Sequence, residues 1–292
     1  EVAPHGTPRR RATTPALKTY SAASMDDVSM HERFNALAGR WWHSIDLGQY
    51  GRTEGYKSAE TLDREWNAMQ VPNLSGRSVL DVGAWDGYFS FRAEQEGAAS
   101  VTALDHFVWS IDPVQKVEYE ARCSAEGVPP QPFDEVDFLW RPEELPGKAT
   151  FDFAHQALRS SVRTHVANFM EDDELPSADV VFFLGVLYHL KEPVVAMERL
   201  FSVTEEVAII ETEAIHVPGQ PDLPLAEFIP GRVVGADGVH SDPTNWWIPT
   251  GEALASMAIS AGFSRVEHIV GPPAQGSPVL RQALDHLRPL LR

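Results

Sequence analysis

The sequence predicts an α/β fold wound around a mostly parallel sheet. Short β-branched and aromatic runs alternate with helix-period segments through the middle of the chain. The first of those runs ends in a glycine-bearing turn that opens onto a helix, and the next ends in an aspartate. Strands buried on both faces read as continuous apolar runs, and crossover helices between them give this alternation. With 43% hydrophobic side chains among 292 residues, the core needs no staples.

Residues 1–24 read as a flexible arm, interrupted by Pro4, Pro8 and Pro15 and lacking an apolar period. A helix follows from Met25, capped by Asp26 or Asp27, with Val28, His31, Phe34, Leu37 and Ala38 at helical spacing and Gly39 near its end. An aromatic and glycine-rich loop (Trp41, Trp42, Tyr50, Gly51, Gly55, Tyr56) and a short helix over 60–69 complete an N-terminal cap, 25–74. The core spans 75–270. It begins with a strand at 78–82, a helix at 88–96, a strand at 100–104 closing on Asp105, and a helix at 114–125 ending at Gly127. A helix over 151–158 precedes a short strand at 162–166. Buried-type strands at 180–184 and 207–210 flank a helix at 193–201. Residues 214–250 form a long loop rich in proline and glycine, and loops of that length are usually lids or binding segments. A helix over 251–261 leads to Gly262 and a strand near 265–270. Residues 271–292 read as helical, so no seventh strand is placed and the segment is a candidate dimerising helix; a homodimer is the corresponding expectation.

Composition narrows the function classes. Cys123 is the only cysteine, which rules out a disulfide framework. The most apolar run, 180–187, is far short of the ~20 residues a bilayer-spanning helix requires. Arg9, Arg10 and Arg11 have no apolar stretch behind them, so no secretory signal is visible and a reduced, cytoplasmic setting is expected. Lys and Arg number 24 against 42 Asp and Glu, a formal charge of −18. Phosphate neutralisation drives nucleic-acid binding, so this balance disfavours RNA and DNA without excluding a local basic patch. Carboxylates and histidines are scattered without metal-ligand spacing, and no metal is expected.

The informative segment is VLDVGAWDGYF over 79–89. A strand delivers Asp81, and Gly83 and Gly87 let the backbone approach a ligand and the helix pack closely on the sheet. About 20 residues on, Asp105 at the end of the second strand is placed to accept hydrogen bonds from a ribose diol. Together these describe a nucleoside-binding crevice. A dinucleotide is disfavoured: the G-x-G-x-x-G spacing is missing, Trp85 is bulky where bare backbone is needed, and Asp86 opposes a phosphate.

The segment resembles the first motif of class I S-adenosylmethionine-dependent methyltransferases, D-x-G-x-G-x-G, with Trp85 in place of the middle glycine. FLGVLYHLKEP over 183–193 looks like the fourth-strand motif of the tRNA wobble-uridine carboxymethyltransferase-like group. WWHSIDL at 41–47, TEG at 53–55 and NWWIPT at 245–250 are similar to that group as well. The resemblance implies a Rossmann-like class I methyltransferase fold with an N-terminal helical extension and a lid-like insertion. It implies S-adenosyl-L-methionine as cofactor and S-adenosyl-L-homocysteine as product. By it, Asp81 lies near the amino-acid part of the cofactor, Gly83, Ala84, Trp85 and Gly87 form the turn against it, and Asp105 with His106 serves the ribose. Leu184 and Tyr188 line the pocket, and Asn168 and Phe169 sit against the adenine. The RNA-modifying members carry arginine after the YH pair, where charge binds an added carboxylate; this chain has Leu190, which argues for ordinary S-adenosylmethionine.

Methyl transfer to a hydroxyl needs an aligned nucleophile, a dry site and a base. His189, at the end of the fourth strand, is the first candidate base; His216, His240 and Glu211 follow, with Glu213 nearby. Each has a bland alternative, a packed histidine or an exposed loop side chain. Tyr50, Asn245, Trp246 and Trp247 are candidate acceptor contacts, whereas Trp41 and Trp42 read rather as core bridging the cap to the sheet. The resulting expectation is O-methylation of a small-molecule hydroxyl, of the kind found in secondary metabolites. tRNA wobble-uridine modification is the competing enzyme reading, and a non-catalytic cofactor-binding module is the reading from another class.

Overall fold

The computed structural model describes residues 25–220, 222–229 and 244–269. The expected arm over 1–24, the C-terminal helix over 271–292 and His240 lie outside the described residues.

Five strands form one parallel sheet: β1 Ser78–Val82, β2 Ser100–Asp105, β3 Arg163–Val166, β4 Ala178–Leu184 and β5 Thr204–Glu211, in the order β3-β2-β1-β4-β5. The chain winds outward from β1 through β2 to β3, then returns to β4 on the other side of β1. That reversal puts a switch point between β1 and β4, where open α/β sheets carry their ligand crevice beyond the carboxyl ends of the strands.

The helices are α1 Met25–Ala36, α2 Ala59–Ala68, α3 Tyr88–Gln95, α4 Phe107–Ser110, α5 Pro113–Glu126, α6 Ala149–Leu158, α7 Pro193–Val203 and α8 Gly251–Ala261. None of them is long and apolar enough to cross a membrane. Both sheet faces are covered, and the two-residue period of β4 shows how. Val180 and Phe182 point into one cluster with Trp66, Phe91, Trp109 and Phe153. Val181 and Phe183 point into the other with Leu104, Phe169, Met197 and Leu200. Local chemistry fixes the helix starts: Ser58 accepts from Thr61 N at the head of α2, and Asp112 caps α5 ahead of Pro113.

Two expectations change. Residues 265–269 form no strand and are mostly exposed, and the described sheet ends at β5. The insertion is also more than a loop. Its ends pair as β6 Ala226–Phe228 against β7 Trp247–Pro249, antiparallel, over a small core of Ile215, Ile229 and Ile248.

Candidate functional site: the crevice above the first and fourth strands

The floor of the crevice is the turn after β1. Gly83 N and Ala84 N donate to the Leu104 carbonyl at 2.8 and 3.1 Å, which ties the turn to β2. Trp85 adopts a left-handed backbone, φ 51°, a conformation that costs a non-glycine residue about 1–2 kcal/mol. Two bonds hold it there: its N–H donates to Asp105 Oδ2 at 3.0 Å, and its carbonyl accepts from Trp109 Nε1 at 2.7 Å. Asp105 Oδ1 accepts Val108 N at 3.1 Å, so this carboxylate organises the turn from β2. At Gly83, φ 77°, a methyl group would come within 2.7 Å of Val186 Cγ2, so the turn and the loop after β4 meet face to face.

Burial raises the carboxyl of Asp105 to about 6. It does the same to Asp81, against the hydrogen bond that Ser90 Oγ donates at 2.6 Å.

The N-terminal cap closes one side. Asp86 is fully buried and accepts from Trp42 N (2.9 Å), His43 N (2.8 Å) and His43 Nδ1 (2.5 Å). Above this tie Trp42 stacks on Trp85 with ring centroids 4.6 Å apart and planes 12° apart. Tyr56, 80% exposed, stacks on its other face at 4.6 Å. Lys57 donates its N–H to the Trp42 carbonyl at 2.8 Å, and its ammonium pairs with Glu65 at 3.0 Å.

The opposite side is built on β4 and β5. Gly185 N donates to the Glu211 carbonyl at 3.0 Å. A methyl group on Gly185 would sit 3.4 Å from Tyr188 Oη and 3.8 Å from Glu211 Oε2, which brings those two groups to one spot. Loss of water around Glu211 raises its carboxyl, while the charge of Lys57 lowers it. His189 Nδ1 lies 2.9 Å from Thr244 Oγ1 and 3.2 Å from the Thr244 carbonyl. Trp246 N donates to the Tyr188 carbonyl at 2.7 Å, Trp247 Nε1 donates to the Lys191 carbonyl at 3.0 Å, and the Lys191 ammonium sits 5.0 Å over the Trp246 ring. The edge of the insertion therefore docks along 188–191. Thr212 Oγ1 and Asn245 Oδ1 are sealed from solvent without a hydrogen-bond partner among the described residues.

The fold therefore gathers Gly83, Ala84, Trp85, Gly87, Asp105, Leu184, Tyr188, His189, Glu211, Asn245, Trp246 and Trp247 around the carboxyl ends of β1, β2, β4 and β5. Other candidates fall elsewhere. Tyr50 is half-buried, its ring packed between His31 (5.1 Å) and Phe153 (5.9 Å), where it joins α1 to α6. Phe169 is buried against Phe183 at 5.3 Å, and Asn168 Oδ1 accepts Met170 N at 3.0 Å in a local turn. His106 meets Trp140 edge-on at 5.2 Å. His216 is half-buried just after Ile215, which donates to the Pro249 carbonyl at 3.0 Å. Trp41 is core, as expected, whereas Trp42 is half-buried in the stack over the turn. Sequence reasoning missed the His43–Asp86 pair and Thr212. Nothing local signals a pairing of residues that lie 43 positions apart.

The fold is similar to that of known structures. The N-terminal domain of EvdMO1 with SAH bound superposes with a TM-score of 0.50 at 18% identity, over 83% of this chain and 90% of that one. The chain has the class I S-adenosylmethionine-dependent methyltransferase fold. In sequence it is similar to the tRNA U34 carboxymethyltransferase of Idiomarina loihiensis, 26% identical over 214 residues, covering 70% of this chain and 53% of the relative. It is also similar to the tRNA U34 carboxymethyltransferase of Sulfurimonas denitrificans, 22% identical over 218 residues, covering 70% and 57%. The chain thus spans little more than half the length of these curated relatives. No family model matches it.

The residues present suit an adenosyl ligand better than a dinucleotide. The turn offers backbone beside a buried carboxylate, and the Asp86 carboxylate opposes a pyrophosphate at the head of α3.

Proposed function

We propose that this protein is an S-adenosylmethionine-dependent methyltransferase that methylates a hydroxyl of a small molecule. S-adenosylmethionine, when bound, supplies an electrophilic methyl group on a sulfonium. Turn residues 83–87 and Asp105 hold the nucleoside end in this reading, with Leu184 and Tyr188 along the pocket. Asn245, Trp246 and Trp247 on the insertion, together with Tyr188 and Glu211, face the acceptor. Asn245 Oδ1, sealed without a partner among the described residues, suits a donor such as a substrate hydroxyl.

The observation that carries the choice of acceptor class is Leu190. Its side chain packs against the apolar cluster around Leu187 and Met197, where an arginine would be needed to meet a carboxylated cofactor. The formal charge of −18 works in the same direction, against a polyanionic substrate. The relatives' names favour the second reading, modification of the tRNA wobble uridine. Incubation with methyl-labelled S-adenosylmethionine and either fractionated metabolites or bulk tRNA separates the two. Label is expected in a metabolite fraction. Label in tRNA would overturn the choice, and tight cofactor binding with no labelled pool would favour a non-catalytic module.

A further inference from the structure

We propose that His43 is the general base of the methyl transfer and that Asp86 fixes its working tautomer, a role that rests on the O-methylation reading above. The Asp86 carboxylate already accepts two backbone N–H groups, from Trp42 and from His43 itself. A carboxylate that accepts leaves His43 Nδ1, at 2.5 Å, as the donor, so in the neutral ring the lone pair falls on Nε2. Among the described residues the ring makes its hydrogen bond at Nδ1 and none at Nε2. His43 itself is buried, 6% exposed, so Nε2 sits in a largely dry environment. The ring is held between Tyr88, stacked at 5.7 Å, and Phe89, edge-on at 5.5 Å. This is an imidazole held on three sides, with Nε2 outside the hydrogen bond to Asp86, beside the glycine turn.

His189 is held differently: its Nδ1 lies 2.9 Å from the Thr244 hydroxyl and 3.2 Å from the Thr244 carbonyl of the insertion. The groups facing His43 are Asp86 from the turn, Asp81 from β1 and Tyr88 from α3. Lys57, whose backbone bridges that of His43, directs its ammonium to Glu65 instead.

In the step assigned to it, Nε2 takes the proton of the acceptor hydroxyl while the oxygen forms its bond to the methyl carbon. The sulfur–methyl bond breaks with its pair left on sulfur, and the imidazolium is balanced by the Asp86 carboxylate. A purely structural tie between the cap and the turn would need Nδ1–H alone, and this difference defines the experiment. His43→Asn keeps a side-chain N–H for Asp86 but carries no base. It is expected to retain its melting temperature within a few degrees, bind S-adenosylmethionine within about threefold by calorimetry, and lose at least about 100-fold in kcat. Asp86→Asn, which accepts less well and favours the opposite tautomer, is expected to lower kcat and displace the rising limb of the pH–rate profile.

Nitrogen NMR of the imidazole gives a reading without turnover: at pH 8, Nδ1 is expected to carry the proton and Nε2 none. His43→Asn with wild-type kcat and pH limb, or an Nε2–H tautomer, would overturn the role of His43 alone. A wild type that binds the cofactor and labels no pool would sink the O-methylation reading and this role together.

Discussion

Asp81 and Asp105 stand near the carboxyl ends of β1 and β2, and burial lifts both carboxyls from 3.8 to about 6. Between about pH 4 and 6 the folded protein keeps protons that the unfolded chain has released, so stability falls as pH rises through that window. Each group accounts for up to about 3 kcal/mol, reached once pH exceeds its folded value. Asp179 acts oppositely: hydrogen bonds from the Ser78 backbone and hydroxyl lower its carboxyl, so it withdraws stability only in stronger acid. Thermal unfolding followed by circular dichroism should therefore show a lower melting temperature at pH 7.5 than at pH 5. Asp81→Asn should flatten that slope. An unchanged slope in the variant would mean that burial of Asp81 is not its source. The positions of both aspartates were legible in the sequence, because strand ends and glycine turns are local signals. Their partners were not: Ser90 reaches Asp81 only when α3 packs on the sheet, and the Trp85 amide reaches Asp105 only when β1 pairs with β2.

Element boundaries were readable wherever a cap or a breaker marks them. α5 begins at Asp112-Pro113 and ends at Gly127 with φ 66°, within one residue of the expected helix. α8 begins at Thr250, whose hydroxyl does three jobs. It accepts Ala253 N at 3.2 Å and Leu225 N at 3.1 Å, and donates to the Leu223 carbonyl at 2.8 Å. One side chain thus caps a helix and pins the insertion to it. Thr250→Ala should cost about 2 kcal/mol, with limited proteolysis cutting first near residues 222–229. A loss below a few tenths of a kcal/mol in denaturant titration would show that the cap is dispensable. The strand expected near 265–270 failed for the complementary reason: no cap or breaker marks it, a short run makes a strand only if an edge receives it, and β5 does not pair with 265–269.

For the whole molecule, an excess of 18 negative charges predicts weak, shallowly salt-dependent association with bulk tRNA. Filter binding between 50 and 200 mM salt tests this. Tight binding that falls roughly a thousandfold or more across that range would instead indicate a concentrated basic surface and the tRNA reading.

The sequence by itself determined the sheet class, the glycine turn at 83–87 and the acidic residue closing β2, because each is written in contiguous residues as a local period or a turn signal. Only the tertiary structure decided which aromatic residues border the crevice and which are core. It alone paired His43 with Asp86, moved Tyr50 into the α1–α6 packing and joined Trp246 to Tyr188. The physical reason is that a hydrogen bond or a ring contact depends on distance in space, and a buried carboxylate takes whichever donors the folded chain delivers, whatever their separation in sequence.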